Sequence, residues 1–134
     1  MSQTIKLFLL VTSFSFAGCA SNVPESIRTS QAVVISVNQA KSDPQSYSGQ
    51  NVRWGGDIAS VKPMQNKTLV EVVGRELGSQ GRPKDNDASS GRFMASIPGF
   101  LDPVIYKEGR QMTVVGNLSG SMKQSIGEHQ YDYP

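Results

Sequence analysis

A chain of 134 residues, 37% hydrophobic and 18% charged, has the length for one small domain. Its formal net charge is +2, its sequence pI is about 8.8, and its Lys and Arg residues are interleaved with Asp and Glu. This excludes the clustered basic face of a nucleic-acid binder. The single cysteine excludes an intramolecular disulfide and a cysteine-rich zinc site.

The chain starts with a short segment carrying one positive charge (MSQTIK, residues 1–6). An apolar run of about ten residues follows (LFLLVTSFSF, 7–16), then the small pair Ala17-Gly18. A membrane-spanning helix needs about 20 apolar residues, so the layout predicts an export signal over residues 1–18. The order Phe16-Ala17-Gly18-Cys19 resembles a bacterial lipobox, with Phe16 where such motifs usually carry Leu. The resemblance implies a diacylglycerol on the Cys19 thiol, cleavage between Gly18 and Cys19, and an N-acyl chain on the freed amine. It implies no other cofactor. The partners it implies are a membrane, through the lipid anchor, and the lipoprotein export and sorting machinery. Each buried methylene adds about 0.8 kcal/mol of membrane affinity, and one chain alone holds only marginally. Two or three chains on one residue therefore anchor durably. Ala20 and Ser21 follow, and the absence of Asp there favours the outer membrane in lipoproteins of this type. Residues 19–30 read as the lipidated cysteine and a flexible tether, whose last ten residues reach about 30 Å when extended.

The predicted folded part is residues 31–134. Residues 32–37 (AVVISV) are apolar and β-branched, and residues 38–41 are long enough for one helical turn. Residues 52–61 (VRWGGDIASV) read as the first strand. Val52, Trp54 and Ile58 share one parity, but Arg53, Asp57 and Ser60 do not all share the other. Gly55-Gly56 inside it predicts a bulge or sharp bend. In a small barrel such a bend lets a long first strand belong to two sheet halves. Residues 62–67 form a turn, and 68–73 (TLVEVV) the second strand of a hairpin. Residues 74–91 are a long polar loop, of a kind that is usually mobile or functional. Residues 92–97 form a third strand, ended by Pro98-Gly99, and 111–118 a fourth. Between them lies FLDPVIY (100–106), with a tight Asp102-Pro103 step. Residues 120–134 read as a hairpin whose return strand has just begun, with Tyr131 and Tyr133 alternating. A last strand is missing from this pattern, which leaves an open edge. The expectation is an all-β, mainly antiparallel fold: a small OB-fold-like barrel, with an SH3-like barrel as the competitor.

Several phrases recur in order: Arg53-Trp54-Gly55-Gly56, TLVEV (68–72), Gly91-Arg92-Phe93, Gly99-Phe100-Leu101-Asp102-Pro103, Tyr106, Gly109-Arg110, Thr113-Val114-Val115-Gly116 and Ile126-Gly127-Glu128. Together they make residues 49–134 resemble the Slp family of outer-membrane lipoproteins, named for starvation-inducible members. The resemblance implies an outer-membrane anchor, an OB-like β domain, no catalytic residues and no defined ligand; the barrel is expected to face the periplasm. The expected role is binding or structural work in the envelope, linked to starvation or stress only by the family name. The alternative is an OB-like module that binds a glycan or other anionic envelope component.

Few residues remain as candidates for chemistry. Trp54 reads either as a core anchor or as a stacking platform, and with Arg53 and Arg92 it forms the candidate ligand contact. Arg53, Arg75, Arg82, Arg92 and Arg110 form either an anion-binding patch or dispersed surface charge. A glycosidase would need two of Asp57, Glu71 and Asp102 to face each other across about 5–10 Å, which nothing in their spacing supports. Asp102 before Pro103 reads as a turn former. His129, the sole histidine, has no second metal-ligating partner in sequence.

Overall fold

Strand β1 (Asn51–Pro63) is 13 residues long, and no neighbour pairs with it along its whole length. The computed structural model describes residues 22–29 and 32–134. Helix α1 (Val37–Ser42) precedes β1; β2 (Lys67–Arg75), β3 (Arg92–Pro98), β4 (Gln111–Asn117), β5 (Met122–Ile126) and β6 (His129–Tyr133) follow it. The first half of β1 pairs antiparallel with β4 and the second half with β2, which in turn pairs with β3. The result is one curled antiparallel sheet in the order β3-β2-β1-β4. The all-β, antiparallel fold expected from the strand pattern is the fold found, and the expected small barrel is present as a sheet curled into a half-barrel.

Gly55, Gly56 and Asp57 are paired on both sides at once, because the two halves overlap there. A Cβ on Gly56 would lie 1.9 Å from the Val73 carbonyl oxygen, and one on Gly55 would lie 2.7 Å from that of Met112. The glycine pair therefore permits close backbone approach where the sheet coils. The bulge itself lies further on. Register passes from Ile58↔Val72 to Ser60↔Glu71, which leaves Ala59 as the extra residue. The bulge explains the broken alternation of β1. Val52, Trp54 and Ile58 face inward before it, and Val61 faces inward opposite Val70 after it, while Ser60 turns outward beside Glu71.

The inner face packs Val52, Trp54 and Ile58 of β1 against Val70, Val72, Phe93 and Leu118. Helix α1 covers this face with Val37 and Ala40. It starts with a capping box in which Ser36 and Gln39 exchange side-chain-to-backbone hydrogen bonds. The segment before it, apolar in sequence, forms no strand. It makes a tight turn in which Ile35 N–H donates to the Val33 carbonyl, and Val33 N–H donates to the Asn51 carbonyl. Residues 22–29, assigned to the tether from sequence, lie against the sheet. Arg53 Nη1 donates to the Ile27 carbonyl, and the Ile27 and Val23 side chains crowd Gly81.

The hairpin β5–β6 turns at Gly127, whose φ of 59° suits a residue without Cβ. Its return strand is five residues long and pairs in full with β5. It meets the edge of β3 through Met94 N–H donating to the Pro134 carbonyl and Arg92 N–H donating to the Tyr131 hydroxyl. Lys41 of α1 sits 3.7 Å above the Tyr131 ring, a cation–π contact that ties helix to hairpin. Between β3 and β4, the two edges of the sheet, lies a groove of about 190 Å³ floored by Val52, Trp54 and Phe93.

Candidate functional site

The larger concavity, about 450 Å³, opens between the segment before α1, residues Arg53 to Gly55 of β1, and the start of the loop after β2. Trp54 reaches it only by its edge, being 8% exposed. Its indole N–H donates to the Ile35 carbonyl at 2.7 Å, and its ring centroid lies 5.3 Å from that of Phe93 at a tilt of 57°. Both the donor and the face of the ring are thus committed to the core. Arg53, one residue along, points to the other side of the sheet; its hydrogen bond to the Ile27 carbonyl is long, 3.3 Å. No carboxylate among the described residues lies within ion-pair distance of it.

Arg75 lines the same cleft but is fully engaged. It pairs with Asp57 through Nε and Nη2, at 2.9 and 2.8 Å. Its Nη1 donates to the carbonyls of Asn86 and Ala88. This side chain stitches down the long loop after β2. A bridge between Leu77 and Pro83, the Lys84–Glu76 ion pair and Thr113 Oγ1–H donating to the Gly81 carbonyl complete the tie. The loop expected to be mobile or functional is a flap tied to the sheet by these contacts.

Arg92 is absent from the cleft. It lies on the outer face of β3, where its Nη1 donates to Glu71 Oε1 at 2.6 Å. The same oxygen accepts from Tyr133 Oη–H at 2.7 Å, and Oε2 accepts from Ser60 Oγ–H at 3.1 Å. Glu71 thereby joins β1, β2, β3 and β6. Burial pushes its carboxyl up, but the hydrogen bonds from Tyr133, Arg92 and Ser60 and the Arg92 charge outweigh burial and hold it below its ordinary value. Tyr133 is pushed up to about 12, by burial first and then by the carboxylate that accepts its proton. A carboxylate held this way is a poor proton donor and a structural clasp. Asp57 is committed to Arg75, and Asp102 accepts the Val104 N–H on its side chain and the Ile105 and Tyr106 N–H groups on its carbonyl. His129 is exposed at the β5–β6 turn. Gly18 and Cys19 lie outside the described residues.

The clasp carries a prediction. Glu71 has a depressed pKa in the fold, so its contribution is present above the ordinary value of 4.5 and is lost as pH falls below it toward the folded value. Glu71→Gln is expected to cost about 1–3 kcal/mol at neutral pH, since Arg92 loses its ion pair and Tyr133 a charged acceptor. The loss relative to the parent should shrink below that pH. Urea unfolding of both proteins at neutral and at acid pH checks it; equal losses at both would remove Glu71 ionisation from the account.

Trp54 and Arg53 are thus brought to one cleft, and Arg92 is not. The Tyr133–Glu71 contact escaped sequence reading, because it spans 62 positions. The only trace of it was the parity shared by Tyr131 and Tyr133.

Among known proteins, the family model described as the outer membrane lipoprotein Slp family matches residues 16–134. The chain is 37% identical over 121 residues to the Escherichia coli K12 protein named "Uncharacterized lipoprotein YeaY", covering 87% of this chain and 60% of that protein. It is 30% identical over 135 residues to "Outer membrane protein Slp" of the same organism, covering 99% and 71%. A Haemophilus influenzae Rd protein named "Uncharacterized protein" is 30% identical over 135 residues, covering 100% and 73%. The chain therefore spans three-fifths of the length of YeaY and under three-quarters of the other two. No solved structure matches it.

Proposed function

The chain belongs to the outer membrane lipoprotein Slp family, and from that premise we propose that acyl chains on Cys19 hold it in the outer membrane with its β domain in the periplasm, where it does non-catalytic binding or structural work. The observation that carries this reading is the extent of the family match, which begins at Phe16 and so takes in the small pair Ala17-Gly18 and the sole cysteine. The sulfur is the one nucleophile there that can accept a diacylglyceryl group. The commitment of Asp57, Glu71 and Asp102 to structural hydrogen bonds supports a role without acid–base chemistry.

Cys19→Ser is expected to abolish lipid attachment and signal removal at that position. Metabolic labelling with palmitate, intact mass of the mature protein and fractionation after an alkaline wash read the outcome. A variant that stays membrane-bound, correctly cut and labelled would sink the reading.

One observation favours a ligand-binding role as a second reading. Arg53 borders the cleft with no carboxylate partner among the described residues, as a contact for an anionic glycan would require.

A further inference from the structure

The loop between β3 and β4 displays apolar side chains to solvent. Phe100 is 70% exposed, Val104 81% and Ile105 54%, with Tyr106 beside them. Met64, on the β1–β2 turn, is also exposed. The turn and loop are joined, since Gly99 N–H donates to the Asn66 carbonyl at 3.0 Å and Thr68 Oγ1–H to that of Gly99 at 2.8 Å. The loop is held rigidly. Asp102 fixes its middle, Arg110 Nη1 donates to the Ile105 carbonyl, and the Gly109 N–H and Arg110 carbonyl pair with Ile58 where β4 leaves β1. Leu101 turns inward against the core, so the loop satisfies its packing without the exposed residues. Loop tips are ordinarily polar, and a fixed apolar cluster at one calls for a partner.

Charge indicates which partner. Lys62 at the end of β1 and Lys67 at the start of β2 flank the turn, and Lys107 and Arg110 lie in the loop, against Asp102 and Glu108. None of the four cations forms an ion pair among the described residues. Apolar and aromatic side chains rimmed by long cationic ones match a bilayer interface, with the stems in the acyl boundary and the charges at anionic headgroups. The position of the N-terminal segment agrees. Val23 and Ile27 crowd Gly81, whose carbonyl accepts from Thr113 Oγ1–H, and Thr113 is the third residue after Arg110. Cys19 is three residues before Asn22, a reach of about 10 Å. The chain toward Cys19 therefore leaves near the end of β4 at which the loop enters the sheet.

We propose that the loop between β3 and β4, with the β1–β2 turn, is a second membrane contact that inserts Phe100, Val104 and Ile105 into an anionic phospholipid surface. This rests on the lipid anchor at Cys19, which holds the patch near the bilayer and lets a weak contact persist by effective concentration. The domain then lies on the membrane in one orientation, which leaves the β5–β6 turn facing away.

The test uses the purified lipidated protein in vesicles of phosphatidylethanolamine with a minority of phosphatidylglycerol, containing lipids brominated on their acyl chains. Ile105→Trp, Val104→Trp and, as control, His129→Trp are compared with the parent, whose own indole is buried. Vesicle flotation of each sample reads the anchor separately. Flotation with several-fold stronger quenching in Ile105→Trp or Val104→Trp than in His129→Trp is the expected result. Flotation with equal, weak quenching at all three positions overturns the contact and leaves the anchor standing. Blue-shifted but unquenched emission from the two loop variants, growing with protein density, would put a second copy on the patch and also overturns it. Failure to float removes the anchor and this inference with it.

Discussion

Trp54→Ala is expected to destabilise the domain by about 3–5 kcal/mol, the range for removing a large aromatic from a packed core. Three separate losses add up at this position. The indole packs in the core against Phe93 and stands opposite Val114 of β4, and neighbours held on paired strands can fill its space only in part. The tilted contact with Phe93 disappears. The Ile35 carbonyl loses its donor, so the segment leading into α1 is no longer pinned to β1. For a domain of about 100 residues each kcal/mol lowers Tm by about 4–8 °C, so thermal unfolding followed by circular dichroism reads the effect easily. A variant that melts with the parent would mean that the ring is a surface platform, and it would move the ligand-binding reading ahead of the structural one.

Gly56→Ala is the second large effect, and it adds a single methyl group. Ordinary overpacking costs about 1–3 kcal/mol because neighbours can yield. Here the obstacle is the Val73 carbonyl, 1.9 Å from the new carbon, on a strand hydrogen-bonded to β1 at that point. Retreat toward β4 is blocked by Met112, which pairs with Gly56 from the other side. The only relief is to part the β1–β2 ladder where the sheet coils, so the cost is expected at or above about 3 kcal/mol. Gly116→Ala is the control. It lies on β4 opposite Val52 with nothing within 4 Å of the added carbon, and a change within about 0.5 kcal/mol is expected there. Similar melting of the two variants would show that strand glycines matter here through backbone entropy, and that the close approach at Gly56 is unimportant.

The resemblance to the family was legible from short phrases in order, and several of them now have a physical reason. Gly55-Gly56 stands where one strand is sandwiched between two others, and Gly91 stands where a Cβ would strike the Asn38 side chain. Asp102-Pro103 is the turn that sequence chemistry predicts, with the Asp102 side chain accepting the Val104 N–H. Of the two readings of the glycine pair, bulge or bend, the bend is the one found, at the point where β1 joins both sheet halves, and the bulge lies at Ala59. Only the register on the partner strand tells the two apart. The candidate ligand residues divided for a related reason. Arg53 and Trp54 are neighbours in the chain and share a cleft edge from opposite sides of the sheet, whereas the partner of Arg92 was decided by a diagonal cross-strand neighbour, Glu71.

Taken alone, the amino-acid order determined the local matters: β-branching and partial alternation placed the four sheet strands, breakers placed the turns, and residues 38–41 offered one helical turn. Each of these depends on residues a few positions apart, whose chemistry acts before the chain has a shape. Tertiary structure alone decided which carboxylate each arginine meets, that Trp54 is enclosed, that the long polar loop is tied down, and that Phe100, Val104 and Ile105 remain outside. Those outcomes follow from contacts between strands far apart in sequence, as between Glu71 and Tyr133. Such contacts are set by register and sheet curl, and no local pattern encodes them.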